Sequence, residues 1–141
     1  MVRIELALEI ERPSEDVFEL MVDLERLPEW QSTAIEARAD GPLAKGMRIA
    51  ERRLVMGREL ENELEVTEFE RPRRLTLKAL GGPIRFTVDH RLSENGGSTR
   101  LDVLAEGQAG LMMKLAEPMI ARKAEEELRK DFDRLKEILE S

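Results

Sequence analysis

Cysteine and tyrosine are absent from this 141-residue chain, and histidine and tryptophan occur once each. Without cysteine there is no disulfide, no thiolate metal site and no cysteine nucleophile, and a reducing compartment suits the chain, so a cytoplasmic location is expected. A single histidine supplies no recognised metal-ligand spacing, so neither a metal nor a cofactor is expected. Basic side chains number 23 against 30 acidic ones, and the formal net charge of −7 opposes a phosphate-backbone partner. Nucleic acid is therefore not an expected ligand. Long apolar runs are also missing. The first ten residues alternate instead of building an export signal, and no uncharged stretch reaches the roughly 18 residues of a membrane span.

A chain of this length fits one domain, residues 1–141, that buries roughly 68 to 70% of the surface exposed by its unfolded form. No internal repeat or linker divides it. Val2, Ile4, Leu6, Leu8 and Ile10 alternate with mostly charged residues, the period of a strand with one buried face. Pro13 stops that strand. Ser14 is placed to cap a helix whose first turn carries Glu15 and Asp16 and whose apolar stripe is Val17, Leu20, Met21 and Leu24. A second short helix or turn follows, ending at Trp30, and Thr33 to Ala39 reads as a weak strand.

From Asp40 to Gly107 the chain reads as sheet, punctuated at Gly57, at Pro72, at the Gly81-Gly82-Pro83 run and at Asn95-Gly96-Gly97. One face of that meander is apolar: Leu75, Leu77 and Ala79, then Ile84, Phe86, Val88 and Leu92, then Leu101, Val103 and Ala105. After Gly110 the only long helical pattern carries Leu128, Phe132, Leu135 and Leu139 at spacings of four, three and four, and it must cover the sheet. Leu111, Met112, Leu115 and Met119 point to the opposite side. Pro118 lies between the two sets and bends or starts the helix. The earlier half is then a candidate lid, with Gly107 and Gly110 as its hinge.

Polar residues interrupt the apolar face in one place. A two-residue turn at Met56-Gly57 sets Met47 opposite Val66, Ile49 opposite Leu64, Glu51 opposite Asn62 and Arg53 opposite Leu60. A slip of one residue would turn Arg48 and Arg52 inward. In the preferred register Glu51, Arg53 and Asn62 form a polar patch on the inner face, which implies an internal hydrogen-bond network, a wet cavity or a ligand with a polar head. Arginine's planar fork of donors suits a carboxylate or enol. His90 shares its face with Phe86, Val88 and Leu92 and is open to two readings, a cap on the core near the strand's end or a group that titrates near neutrality. Trp30 either plugs the space between helix and sheet or stacks on a flat ligand.

The stretch from Ile10 to Trp30, I-E-R-P-S-E-D-V-F-E-L-M-V-D-L-E-R-L-P-E-W, joins an alternating strand to a short helix and a tryptophan. With G-P-L-A-K-G-M at Gly41 to Met47, the P-R-R-L run ending at Leu75, the G-G-S-T-R-L hairpin at Gly96 to Leu101 and the amphipathic ending, it resembles the START/Bet v 1-like superfamily. The branch is that of polyketide cyclase/dehydrase and lipid transport proteins. The resemblance implies an α+β helix-grip fold, in which a curved seven-stranded antiparallel sheet wraps around a long C-terminal helix and two short helices follow strand one. It also implies a cavity between sheet and helix that takes a small hydrophobic ligand.

The expected cavity is bounded by Trp30, Met47, Asn62, Phe86, His90, Met112 and Leu115, with Glu51 beside it and Arg53 near its mouth. Reversible binding of a lipid, isoprenoid or polyketide is the favoured function, and the lack of tyrosine and of a second histidine weighs against catalysis. Two alternatives stay open. One is a cyclase/dehydratase-type enzyme, in which Glu51 or His90 moves a proton while Arg53 and Asn62 hold the substrate oxygen. The other is an interaction module with a vestigial pocket and a protein partner.

Overall fold

The computed structural model describes residues 2–81, 84–109 and 117–141. Its elements are β1 (Val2–Ile10), α1 (Ser14–Val22), a 3-10 turn (Leu24–Arg26), α2 (Leu27–Trp30), β2 (Ala34–Arg38), β3 (Arg48–Val55), β4 (Arg58–Glu70), β5 (Arg74–Ala79), β6 (Ile84–Asn95), β7 (Ser98–Ala109) and α3 (Glu117–Glu140). The strands form one antiparallel sheet in the order β1-β7-β6-β5-β4-β3-β2, which leaves β1 and β2 as its edges. This is the helix-grip architecture expected from the sequence: a curved seven-stranded antiparallel sheet, short helices after the first strand and a long C-terminal helix.

Turn chemistry fixes the register. Met56 and Gly57 both have positive φ, at 52° and 79°, the pair of left-handed residues that a two-residue hairpin turn of matching twist requires. Ile49 therefore faces Leu64, Glu51 faces Asn62 and Arg53 faces Leu60. The regular ladder starts at Arg48, one residue after the expected Met47. Gly46 N–H donates to Val66 O at 2.7 Å and Val66 N–H donates to Met47 O at 2.9 Å, so two residues oppose one in a bulge.

Two expectations about the helices need correction. Ser14 is not the cap of α1. Pro13 occupies that position, while the Ser14 hydroxyl lies 3.0 Å from the Thr99 hydroxyl in a buried pair and the Ser14 N–H donates to the Glu94 carboxylate at 2.7 Å. A carboxylate from β6 thus satisfies the first turn of α1, where negative charge is favourable. Gly107 is not a hinge either: it sits inside β7, paired with Val2 on one side and Phe86 on the other. Gly110, Leu111, Met112 and Leu115 lie outside the described residues, and the lid with them. Met119 is exposed.

The core lies on the inner face. Ile10, Val17, Phe18, Val66, Leu101 and Leu135 are sealed from solvent, and Phe132 joins them at 3% exposure. The α3 backbone approaches β1, α1 and α2 most closely. The segment containing α1 and α2 roofs a space over β3 to β6 that holds the candidate site.

Candidate functional site

A small, partly open cavity of about 40 Å³ lies between strands β3 to β6 and the α1–α2 segment. The sheet contributes Ile49, Glu51 and Arg53 from β3, Leu64 from β4, Leu75 and Leu77 from β5 and His90 from β6. The roof contributes Met21, Leu24, Leu27, Trp30 and Gln31, and Leu43 closes one side. Of the residues expected around the cavity, Trp30, Glu51, Arg53 and His90 meet there. Met47 and Phe86 are half-buried and do not line it, Asn62 stands behind Glu51, and no described residue of α3 reaches it.

The polar patch is a network with Arg53 at its centre. The Arg53 Nε and Nη2 donate to the two oxygens of Glu51 at 2.9 and 3.0 Å, the planar two-point pairing of guanidinium with carboxylate. Its Nη1 donates to the Thr33 hydroxyl at 2.9 Å and Nη2 also reaches the Gln31 side-chain oxygen. Asn62 donates to Glu51 at 3.4 Å. The Glu51 side chain is only 2% exposed and that of Arg53 is 21% exposed, so the pair stands at the border between core and solvent. Glu51 projects inward because its register partner Asn62 does, as alternation along β3 and β4 demands.

Asp131 of α3 extends this network. Its carboxylate accepts the Ser32 N–H at 3.1 Å, and burial pushes its pKa above the usual carboxylate range against the opposing effect of that bond and of Arg53. The three-residue link Gln31-Ser32-Thr33 is consequently held from the sheet by Arg53 and from α3 by Asp131. Sequence reading missed Gln31, Thr33 and Asp131. A signal existed for the last, since Asp131 lies three residues after Leu128 and four before Leu135, on the flank of the buried stripe.

His90 is buried in mid-strand, not at a solvated strand end. Its Nδ1 lies 2.9 Å from Leu75 O, and burial lowers its pKa below the usual 6.5. A carbonyl only accepts, so Nδ1 carries the proton of the neutral ring and Nε2 is left as an acceptor. Trp30 is 3% exposed, and its indole N–H has no hydrogen-bond partner among the described residues. Phe132 stands behind both rings, with centroids 5.3 Å from Trp30 and 5.8 Å from His90. An apolar chamber is thereby edged by an ion pair with most of its donors engaged, by the Trp30 indole N–H and by His90.

The family described as "Polyketide cyclase / dehydrase and lipid transport" matches residues 1–140. The chain belongs to that family. Its architecture is shared with solved structures of low sequence identity. A START superfamily protein from Mycobacterium smegmatis superimposes with a TM-score of 0.84 at 16% identity, over 99% of this chain and 98% of that one. A conserved protein from Geobacillus kaustophilus gives a TM-score of 0.82 at 15% identity, over 98% and 95%. The di-domain ARO/CYC protein BexL gives 0.78 at 15% identity, with 97% of this chain covering 46% of that protein. At these identities the likeness shows the fold alone. No curated protein sequence matches the chain. Among the described residues no helix is long and apolar enough to cross a membrane.

Proposed function

We propose that this protein reversibly binds a small, largely hydrophobic molecule, as a carrier or sensor, in the chamber beneath Trp30. The observation that carries the reading is a partly open space lined mainly by apolar side chains, among them Trp30, whose buried indole N–H has no partner among the described residues. Buried polar groups are ordinarily satisfied, and an orphan on a cavity wall is a place for a water or a ligand. Family membership supports the same reading, because the family's description joins lipid transport with polyketide chemistry.

The chamber in its present form has room for only about three waters, whereas sites for drug-sized molecules span roughly 300 to 1,000 Å³. Binding therefore requires the wall to open, and the flexible Met21 with Leu24, Leu43 and Leu77 supplies the adaptable part. A second reading, a cyclase-type enzyme, rests on the free Nε2 of His90 as a proton acceptor. Titration of fatty acids, flat polyketides and isoprenoids, followed by Trp30 fluorescence and calorimetry, tests both. Saturable quenching with recovery of unchanged ligand supports the carrier, and chemical conversion of the ligand replaces it with the enzyme. No heat and no fluorescence change with any class would send the search to a protein partner.

A further inference from the structure

We propose that the head group of the bound molecule is neutral and carries a hydroxyl, with the Trp30 indole N–H as its donor or His90 Nε2 as its acceptor. This rests on the ligand-binding reading above and narrows its chemical class. The sequence alone pointed to Arg53 and hence to a carboxylate or enol, but the structure leaves that guanidinium little to offer. Four of its five N–H groups are already engaged, by both oxygens of Glu51, by Thr33 and by Gln31. Asp131 adds a second carboxylate to its surroundings. An anionic head would enter a space that already balances one guanidinium with Glu51, and would lose its hydration without a spare cation to replace it.

Among the described residues the Trp30 indole N–H has no partner, and His90, whose Nδ1 is engaged by Leu75 O, makes no hydrogen bond through Nε2; the two rings are backed by the same phenylalanine. A hydroxyl is the smallest ligand group that both accepts and donates. A carboxylate satisfies the indole and not Nε2, and a hydrocarbon satisfies neither. Water can answer either demand. A ligand hydroxyl can reproduce its bonds while the apolar body gains burial, whereas a hydrocarbon displaces it at a loss. Neutral alcohols and phenols on an apolar skeleton fit best.

The test uses three probes with one body, 2-naphthol, 2-naphthoate and naphthalene, at pH 7.5. The shared body makes the cost of opening the wall common to all three, so their ranking reports the head. Calorimetry should find 2-naphthol bound about tenfold more tightly than either of the others, the size expected for pairing one buried group. The single indole N–H resonance should shift with naphthol far more than with naphthalene. His90→Phe should abolish the preference for naphthol over naphthalene, read as the ratio of the two affinities because the substitution also reshapes the wall. Should that variant not fold, the ranking and the indole shift decide alone. Naphthoate binding as well as naphthol, or naphthol no better than naphthalene, overturns the neutral-hydroxyl head while leaving hydrophobic binding in place. Failure of all three to bind overturns both.

Discussion

At the scale of the residue, the decisive groups are those whose partners are missing or whose charge is suppressed. His90 was legible as an inward residue because parity along β6 sets it with Phe86, Val88 and Leu92, and the structure places it in the wall. Its hydrogen bond to Leu75 O was not legible, since it crosses from β6 to β5 and depends on a register that no local pattern encodes. That burial has a thermodynamic consequence. The folded pKa lies below the ordinary 6.5, so as pH falls through that value the unfolded chain takes up a proton that folded His90 declines. The stability tied to His90 is full above about pH 6.5 and drains away as pH falls toward the folded pKa. Denaturant unfolding between pH 7.5 and 5.5 should show a steeper loss in the wild type than in His90→Asn, by at most about 1.4 kcal/mol per pH unit. Parallel slopes in the two proteins would mean that His90 is not kept neutral by burial.

At the scale of the element, the β3–β4 hairpin was the most readable part of the molecule. Its turn residues and its apolar alternation agree on one register, and that register brings Glu51, Arg53 and Asn62 to the inner face. The link between α2 and β2 was not readable in the same way, because Gln31 and Thr33 belong to no periodic pattern and meet Arg53 only once the sheet has curved. The ion pair therefore fastens two elements. Removing one partner strands the other: Glu51→Leu should cost about 3 to 5 kcal/mol, since it leaves a partly buried guanidinium without its carboxylate. Replacing both, as Glu51→Leu with Arg53→Met, should recover most of that loss, because apolar pairs of similar size often match buried ion pairs in stability. A double-mutant cycle from urea unfolding measures this. Two costs that simply add would show that the pair is solvated and that Thr33 and Gln31 are held by other means.

At the scale of the whole molecule, stability and capacity meet at Phe132. The apolar stripe of α3 predicted that this residue is core, and at 3% exposure it is. The stripe did not show that its ring is the backing of the chamber, touching Trp30 on the roof and His90 on the sheet. Nor did it show that the α3 backbone runs nearest β1 while residues of the α1–α2 segment close the chamber over β3 to β6. Those facts depend on the curvature of the whole sheet, which is set by twist and bulges summed over seven strands, not by any one stretch of chain. Phe132→Ala removes a large buried ring and should cost about 3 to 5 kcal/mol, read as a lower urea midpoint with an unchanged slope. Because the vacated volume adjoins the chamber, the same variant should bind naphthalene more tightly than the wild type, as apolar cavities made by truncation accept apolar guests. A cost under about 1 kcal/mol would mean that α3 does not dock through this ring. The full cost with no gain in naphthalene binding would mean that the core closes over the gap, and that the chamber and the helix are separate parts of the fold.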